Sequence, residues 1–193
     1  IYIANSQDDS VSKLRIDNGE EVARILVGNN PSRTAVDGDG NAWVAMRGVL
    51  NDASPGEIDH VVKIDGDCVP SIKPPVPTRE CILIDIPRVG QLLRGVAVDA
   101  TGDVWIGSHA DHEVILLDGV TGDEKTRITL DPLSRVYGLA VDERGYLWVA
   151  AKTGEAQVLR VDPVTESVDF AVSGLEIGRS VYGLAADGKG SVW

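Results

Sequence analysis

The sequence predicts an all-β protein built as a β-propeller, and three observations lead to this fold class. One hairpin pattern recurs along the 193 residues: small or apolar residues, Asp, two variable residues, Gly, two more residues and then Trp. The matching aromatic residues follow one another at spacings of 41, 62, 43 and 45 residues. Periods of about 40 to 50 residues are typical of propeller blades or helical arrays. Each repeat also contains four short runs rich in β-branched residues, with no segment of helical period. Four-stranded antiparallel blades of this kind pack radially.

The first two strands of each repeat are predicted to form a tight hairpin. Four copies are complete, at residues 34–46, 95–108, 138–151 and 183–193. The Asp before each turn can accept hydrogen bonds from backbone amides just downstream, and the Gly of the turn supplies a positive φ. The aromatic residues of the pattern are Tyr2, Trp43, Trp105, Trp148 and Trp193. We expect them to pack between blades rather than to serve as ligand platforms.

The third and fourth strands complete each blade, and the third ends in an Asp at a second turn. In chain order we expect strands of one blade at 1–27, a blade at 33–86, regular blades at 89–130 and 133–172, and an incomplete blade at 175–193. The first and last residues fall at the same phase of a second strand. We therefore expect about four repeats of a six- or seven-bladed propeller, with a closed four-bladed ring as the alternative.

The blade at 33–86 is longer than its neighbours by about twenty residues, which lie in two insertions, 48–59 and 68–81. The second insertion carries four prolines and is flanked by the only two cysteines, Cys68 and Cys81. We expect these cysteines to form a disulfide, which would stabilise so short a loop by about 3 kcal/mol. A disulfide indicates a secreted, periplasmic or cell-surface protein. Two free thiols in a cytosolic protein are the alternative.

The composition narrows the classes of partner. The net charge is −12, which argues against a nucleic-acid partner because a phosphate backbone requires a basic surface. No apolar run approaches the length of about 18 residues that a membrane span requires. The remaining partners are a protein, a glycan or a small polar ligand, together with the remainder of the same propeller.

Functional groups of a propeller gather where its innermost strands begin, around the mouth of the central channel. The residues at this end of the predicted first and second strands include Arg33, Arg94, Tyr137, Tyr182, Arg47 and Lys152. A ring of Arg and Tyr side chains on an acidic protein predicts a site for an anionic or polar ligand, since guanidinium groups bind carboxylates in a bidentate manner. Alternatively, these arginines pair with acidic residues of neighbouring blades.

The segment SHADHE is the one local cluster that offers metal ligands or a general acid and base, through His109, His112 and Glu113. The two histidines are candidate ligands of a divalent cation such as Mg²⁺ or Ca²⁺. The simpler interpretation is that they are solvent-facing residues at the start of a strand, and we expect no cofactor. Residues 37–41, DGDGN, are similar to the start of a calcium loop, but hairpin chemistry also accounts for them.

The segments GLAVDERGYLWVAA, GVAVDATGDVWIGS and NPSRTAVDGDGNAWVAMRG resemble the repeats of NHL-type propellers and of the related streptogramin (virginiamycin B) lyase-like propellers. They are also similar to repeats of uncharacterised bacterial secreted or surface proteins. The lyase resemblance implies a magnesium-dependent elimination with His and Glu residues near the channel mouth. Lyase repeats often carry Glu three residues after the Trp, where this chain has Asn5, Met46, Ser108 and Ala151.

We therefore expect a non-catalytic module that binds a ligand, or serves as a scaffold, through the channel mouth and the insertion loops. The alternative is a lyase-like or lactonase-like enzyme. In that case the resemblance implies a carbon–oxygen lyase.

Overall fold

The structure is a computed structural model that describes the chain apart from residues 49–58, 88, 153–155 and 175–180. The described residues form fifteen strands and no helix. The first two sheets contain β1 (Tyr2–Asn5), β2 (Ser10–Leu14) and β3 (Glu21–Leu26), then β4 (Pro31–Val36), β5 (Ala42–Met46), β6 (His60–Ile64) and β7 (Ile82–Pro87). The other two contain β8 (Leu93–Val98), β9 (Val104–Ser108), β10 (Glu113–Leu117) and β11 (Glu124–Thr129), then β12 (Arg135–Val141), β13 (Leu147–Lys152), β14 (Ala156–Asp162) and β15 (Ser167–Ser173).

Within each sheet, strands that follow one another in the chain pair side by side. The all-β class and the four-stranded antiparallel repeat are thereby confirmed, and the first sheet has three strands. In the part of the chain that is described, no helix is long and apolar enough to cross a membrane.

The Asp of each hairpin turn accepts backbone amides of the turn, and in the last two copies it also holds the Trp. Asp142 Oδ1 accepts the backbone N–H groups of Arg144 at 2.9 Å and Tyr146 at 3.0 Å, while Oδ2 accepts the indole N–H of Trp148 at 2.9 Å. Asp187 makes the corresponding three bonds one repeat later. The glycines of these turns have positive φ, as predicted, at Gly40, Gly102, Gly145 and Gly190. In these two copies one carboxylate serves both the turn and the indole, whereas the indole nitrogen of Trp43 has no hydrogen-bond partner among the described residues.

The chain divides into two compact units, Ile1–Leu93 and Arg94–Trp193. In the first unit, the sheet of β1 to β3 packs on that of β4 to β7 through a buried apolar cluster that includes Val11, Ile25, Val44, Val62 and Ile64. In the second unit, a corresponding cluster joins the two sheets and includes Trp105, Ile128, Val136, Leu147, Val149 and Val161. Within each unit, the two sheets are thus held together by alternate residues of their strands, whose apolar side chains pack between the sheets.

The tryptophans of the repeat serve packing to different degrees. Trp43 and Trp105 are fully buried, as expected for residues between blades. Trp148 is half-buried and contacts Phe170 edge to face, with ring centroids 6.0 Å apart. Trp193 is 78% exposed. Trp43 and Trp105 are therefore buried as a packing role requires, whereas Trp148 and Trp193 leave part of the ring open.

The insertion at 68–81 is closed by a disulfide between Cys68 and Cys81, which confirms that prediction. Its backbone adds to the outer edge of the first sheet, because Thr78 forms a parallel bridge with Ile25. The Leu26 amide donates to Thr78 O at 2.8 Å, and the Thr78 amide donates to Arg24 O at 2.9 Å. The loop therefore connects two sheets of the first unit and covers an otherwise open strand edge. Most of the other insertion, residues 49–58, lies outside the described residues.

Candidate functional site

Four side chains of the second unit come together and are called the Arg94 cluster: Arg94, His109, Tyr137 and Tyr182. The Tyr137 ring is at the centre. The guanidinium carbon of Arg94 lies 5.5 Å from the centroid of that ring. The His109 ring meets Tyr137 edge to face at 4.7 Å, and the Tyr182 ring lies 5.3 Å away at a tilt of 36°. Arg94, Tyr137 and Tyr182 belong to the predicted ligand ring, whereas His109 came from the separate SHADHE cluster.

The repeat itself explains why these residues meet. Arg94 is the second residue of β8 and Tyr137 lies in β12, both first strands of a sheet, whereas His109 directly follows the second strand β9. In an antiparallel hairpin, the start of the first strand and the end of the second lie at the same end. Positions five before the turn Asp and four after the aromatic are therefore neighbours, a signal already present in the sequence.

A pair of glycines brings Tyr182 close to Tyr137. A Cβ atom added to Gly138 would lie 2.9 Å from the Cα of Gly183 and 3.0 Å from the carbonyl oxygen of Tyr182. Gly138 directly follows Tyr137 in β12, at a register irregularity of the β12–β13 pair. The close approach of the two backbones places the tyrosine rings side by side.

The protonation state of His109 follows from its contacts. Its Nδ1 lies 3.0 Å from the carbonyl oxygen of Val136. A carbonyl can only accept a hydrogen bond, so Nδ1 carries the proton and the neutral ring has its lone pair on Nε2. The side chain is 8% exposed. Burial lowers the pKa of His109 below its usual value; the hydrogen bond to Val136 opposes this effect, and the positive charges of Arg94 and Arg135 add to it. His109 is thus a hydrogen-bond acceptor at neutral pH.

Arg94 is the residue of the cluster that has a buried hydrogen-bond donor without an acceptor. Its Nε is buried and has no hydrogen-bond partner within the described ranges. The ion pairs found among the described residues involve other arginines, namely Arg15, Arg24, Arg79, Arg127 and Arg160. A buried N–H group without a partner is costly. The Arg94 guanidinium therefore differs from these five arginines, each of which pairs with a carboxylate of the chain.

The remaining predicted ligand residues lie elsewhere or have partners. Arg33 and Arg47 belong to the first unit, where Arg33 donates to Ser32 O at 3.1 Å and Arg47 donates to Asn30 Oδ1 at 3.0 Å. Lys152 is half-buried at the end of β13, opposite Arg135 in the register with β12. Lys152 and Arg135 thus place two further positive charges at the strand ends from which the cluster arises.

The three residues of the predicted metal or acid–base set are not brought to one point. The Glu113 carboxylate binds Arg127 at 2.6 Å. His112 precedes β10 with φ 59°, and its Nδ1 is buried without a partner among the described residues. No group of three or more His, Cys, Asp or Glu able to hold a metal ion occurs in the part of the chain that is described. His109, His112 and Glu113 therefore do not form a ligand set for a divalent cation.

Comparisons with known proteins place the fold. No family model matches the chain, and no curated protein matches it. Among solved structures, it is similar to a streptogramin B lyase, with a TM-score of 0.71 and 13% identity over 100% of this chain and 57% of that chain. It is also similar to the WD40 β-propeller domain of Doa1, with a TM-score of 0.70 and 13% identity over 95% and 53% of the two chains. For a nidogen/laminin complex the TM-score is 0.67, with 15% identity over 95% and 62%.

The chain thus spans about half to three-fifths of the length of these structures. Identities this low show the fold alone. The resemblance to streptogramin lyase-like propellers is confirmed at that level: the chain has the fold of part of a β-propeller.

Proposed function

We propose that this chain is a binding module whose second unit takes a carboxylate-bearing ligand at the Arg94 cluster. The observation that carries the proposal is the buried Nε of Arg94, which has no partner among the described residues although the chain carries 30 acidic residues against 18 basic ones. Five arginines among the described residues pair with carboxylates of the chain. A guanidinium held against Tyr137 instead is prepared for a carboxylate from outside.

The neighbouring side chains suggest the rest of the ligand. The guanidinium of Arg94 lies over the Tyr137 ring, where a cation–π interaction stabilises it. Nε2 of His109 can accept a hydrogen bond from a hydroxyl or amide group of the ligand. Tyr182 is 56% exposed and offers a ring on which a planar group can stack. An acidic protein side chain, an acidic sugar or a small aromatic acid each meets these requirements.

Two further observations support an extracellular binding role. The Cys68–Cys81 disulfide is typical of proteins of oxidising compartments, so we propose a secreted, periplasmic or cell-surface location. The nidogen/laminin complex is a protein–protein assembly, which makes a protein ligand compatible with this fold. Alkylation of intact cells followed by mass spectrometry tests the location, because a cytosolic protein would show both cysteines alkylated.

Benzoate is the probe for the binding site, with neutral benzamide of similar shape as its control. We expect benzoate to bind with a dissociation constant on the order of millimolar, as suits so small a ligand, and benzamide to bind far more weakly. Arg94→Gln should weaken benzoate binding at least about tenfold, since it removes the charge partner. Arg160→Gln is the matched control, because it removes the same charge from an arginine paired with Asp169. Equal benzoate binding by wild type and Arg94→Gln would refute the proposal.

An enzyme is the second candidate, and the tautomer of His109 is the observation that favours it. A neutral, buried imidazole with an unprotonated Nε2 has the form of a general base. The similarity to a streptogramin B lyase makes a carbon–oxygen lyase the reaction class to test. Incubation with streptogramin B, followed by mass spectrometry, distinguishes the candidates. Turnover that is lost in His109→Gln would replace the binding function with a catalytic one.

A further inference from the structure

Two positive charges face each other at the end of the β12–β13 hairpin from which the Arg94 cluster arises. Arg135 is the first residue of β12, and it lies opposite Lys152, the last residue of β13. We call these two residues the Arg135 pair. Like charges that lie directly opposite each other destabilise an antiparallel strand pair. The β12–β13 hairpin therefore carries a local electrostatic cost.

The first unit shows a favourable pairing at the same positions of the repeat. Asn30 and Arg135 each stand seven residues before the turn Asp of their hairpin. Arg47 and Lys152 each stand four residues after the Trp. In the first unit the Arg47 guanidinium donates to Asn30 Oδ1 at 3.0 Å, so a neutral acceptor holds the cation. In the second unit a second cation stands in place of that acceptor.

The described carboxylates of the chain do not neutralise the Arg135 pair. The ion pairs found among the described residues include neither Arg135 nor Lys152. Asp131, the described acid closest to Arg135 in the sequence, accepts the Leu133 amide at 2.9 Å. Arg135 is exposed and Lys152 is half-buried, so a ligand can reach both charges from solvent.

Arg135 lies in the same surroundings as the Arg94 cluster. Nδ1 of His109 donates to the carbonyl oxygen of Val136, the residue that follows Arg135. Besides burial, which is the main cause, the charges of Arg94 and Arg135 both lower the pKa of His109. Both guanidinium groups therefore lie within electrostatic reach of one imidazole. A molecule bound at Arg94 has a second region of positive charge close by.

We propose that the Arg94 cluster and the Arg135 pair together bind a dicarboxylate, an inference that rests on the proposed function. One carboxylate binds Arg94, and the other binds between Arg135 and Lys152. A negative charge there attracts both cations and offsets their mutual repulsion. A ligand with a single carboxylate gains nothing from the Arg135 pair. The second acid group thus distinguishes the preferred ligand from other carboxylates.

Isophthalate and terephthalate are the probes, because their two carboxylates are held rigidly at different separations. The control for each diacid is its monomethyl ester, which has nearly the same size and one carboxylate. We expect the better of the two diacids to bind the wild-type chain about tenfold more tightly than its ester, as one additional charge-assisted hydrogen bond would give.

Charge-neutral variants of the full chain assign this advantage to the Arg135 pair. Arg135→Gln/Lys152→Gln should reduce it to less than about twofold, and each single variant should remove part of it. The matched control is Lys125→Gln/Arg160→Gln, which also removes one lysine and one arginine of the second unit, but from ion pairs with carboxylates of the chain. This control should keep the advantage of about tenfold. Urea unfolding checks the variants, and removing the Arg135 pair should leave the chain at least as stable as the wild type.

Equal binding of diacid and ester by the wild type would overturn the inference, and so would an advantage that persists in Arg135→Gln/Lys152→Gln. In either case, benzoate binding that is weakened in Arg94→Gln would leave the proposed function intact. Benzoate binding that does not depend on Arg94 would instead overturn the proposed function, and this inference with it. The absence of binding by all probes would also overturn both.

Discussion

Gly138 and Gly183 occupy the same position of the repeat, yet the structure predicts opposite responses to substitution by alanine. A Cβ on Gly138 would lie 2.9 Å from the Cα of Gly183 and 3.0 Å from the carbonyl oxygen of Tyr182, so it would collide with backbone atoms that cannot move independently. A Cβ on Gly183 would have no atom within 4 Å. Neither glycine has a positive φ, so alanine is not strained by its backbone conformation.

The magnitude follows from two opposing effects. Forcing a methyl group into a closed contact costs roughly 1–3 kcal/mol, whereas replacing Gly by Ala stabilises by roughly 0.4–1 kcal/mol through the unfolded state. Gly138→Ala should therefore lower the free energy of unfolding by about 1–2 kcal/mol, and the melting temperature by about 2 to 8 °C in a chain of this size. Gly183→Ala should be neutral or slightly stabilising.

Urea and thermal unfolding of the two variants and the wild type provide the assay. The benzoate titration adds a second readout, because separating the strands at Gly138 would also move Tyr182 away from Tyr137. A Gly138→Ala variant as stable as the wild type would refute the close-approach argument. So would a Gly183→Ala variant that loses as much stability.

Two further predictions concern the disulfide and the buried histidine. The double variant Cys68→Ser/Cys81→Ser should lower the free energy of unfolding by about 3 kcal/mol and speed hydrogen exchange of the Leu26 amide; unchanged exchange would contradict the role of the loop as an edge cover. Burial lowers the pKa of His109, so the unfolded chain takes up this proton at a higher pH than the folded chain. The resulting stability is fully present above the unfolded value of about 6.5 and is lost as the pH falls towards the lower folded value. Urea unfolding at pH 7 and pH 5.5 should show this loss in the wild type and a smaller one in His109→Gln, and equal losses would contradict the assignment.

The sequence was sufficient for the repeat and its turns. The groups that shape a hairpin turn interact within a few residues of one another: Asp142, for example, accepts hydrogen bonds from the Tyr146 amide and the Trp148 indole. Interactions of such short range require a fixed spacing between the residues, and this spacing can be recognised in the sequence. The disulfide was also predictable, because the chain has only two cysteines and they flank one insertion.

The candidate site was predictable only in part. Position in the repeat was enough to select Arg94, Tyr137 and Tyr182, since equivalent residues lie at the same end of their strands. Position could not show that Glu113 is bound by Arg127, because that contact depends on pairing between β10 and β11. It also could not show which arginines are neutralised, since ion pairs join residues distant in sequence.

By itself, therefore, the sequence determined the β-strands, their order and the end of the sheets at which polar residues collect, because strand periodicity and turn chemistry are local. Only the tertiary structure decided that His109 joins Arg94 rather than Glu113. It also decided that the neighbouring backbone leaves no room for a side chain at Gly138, whereas a Cβ atom at Gly183 would meet no other atom. These features depend on distances between segments that the chain brings together only when the sheets pack.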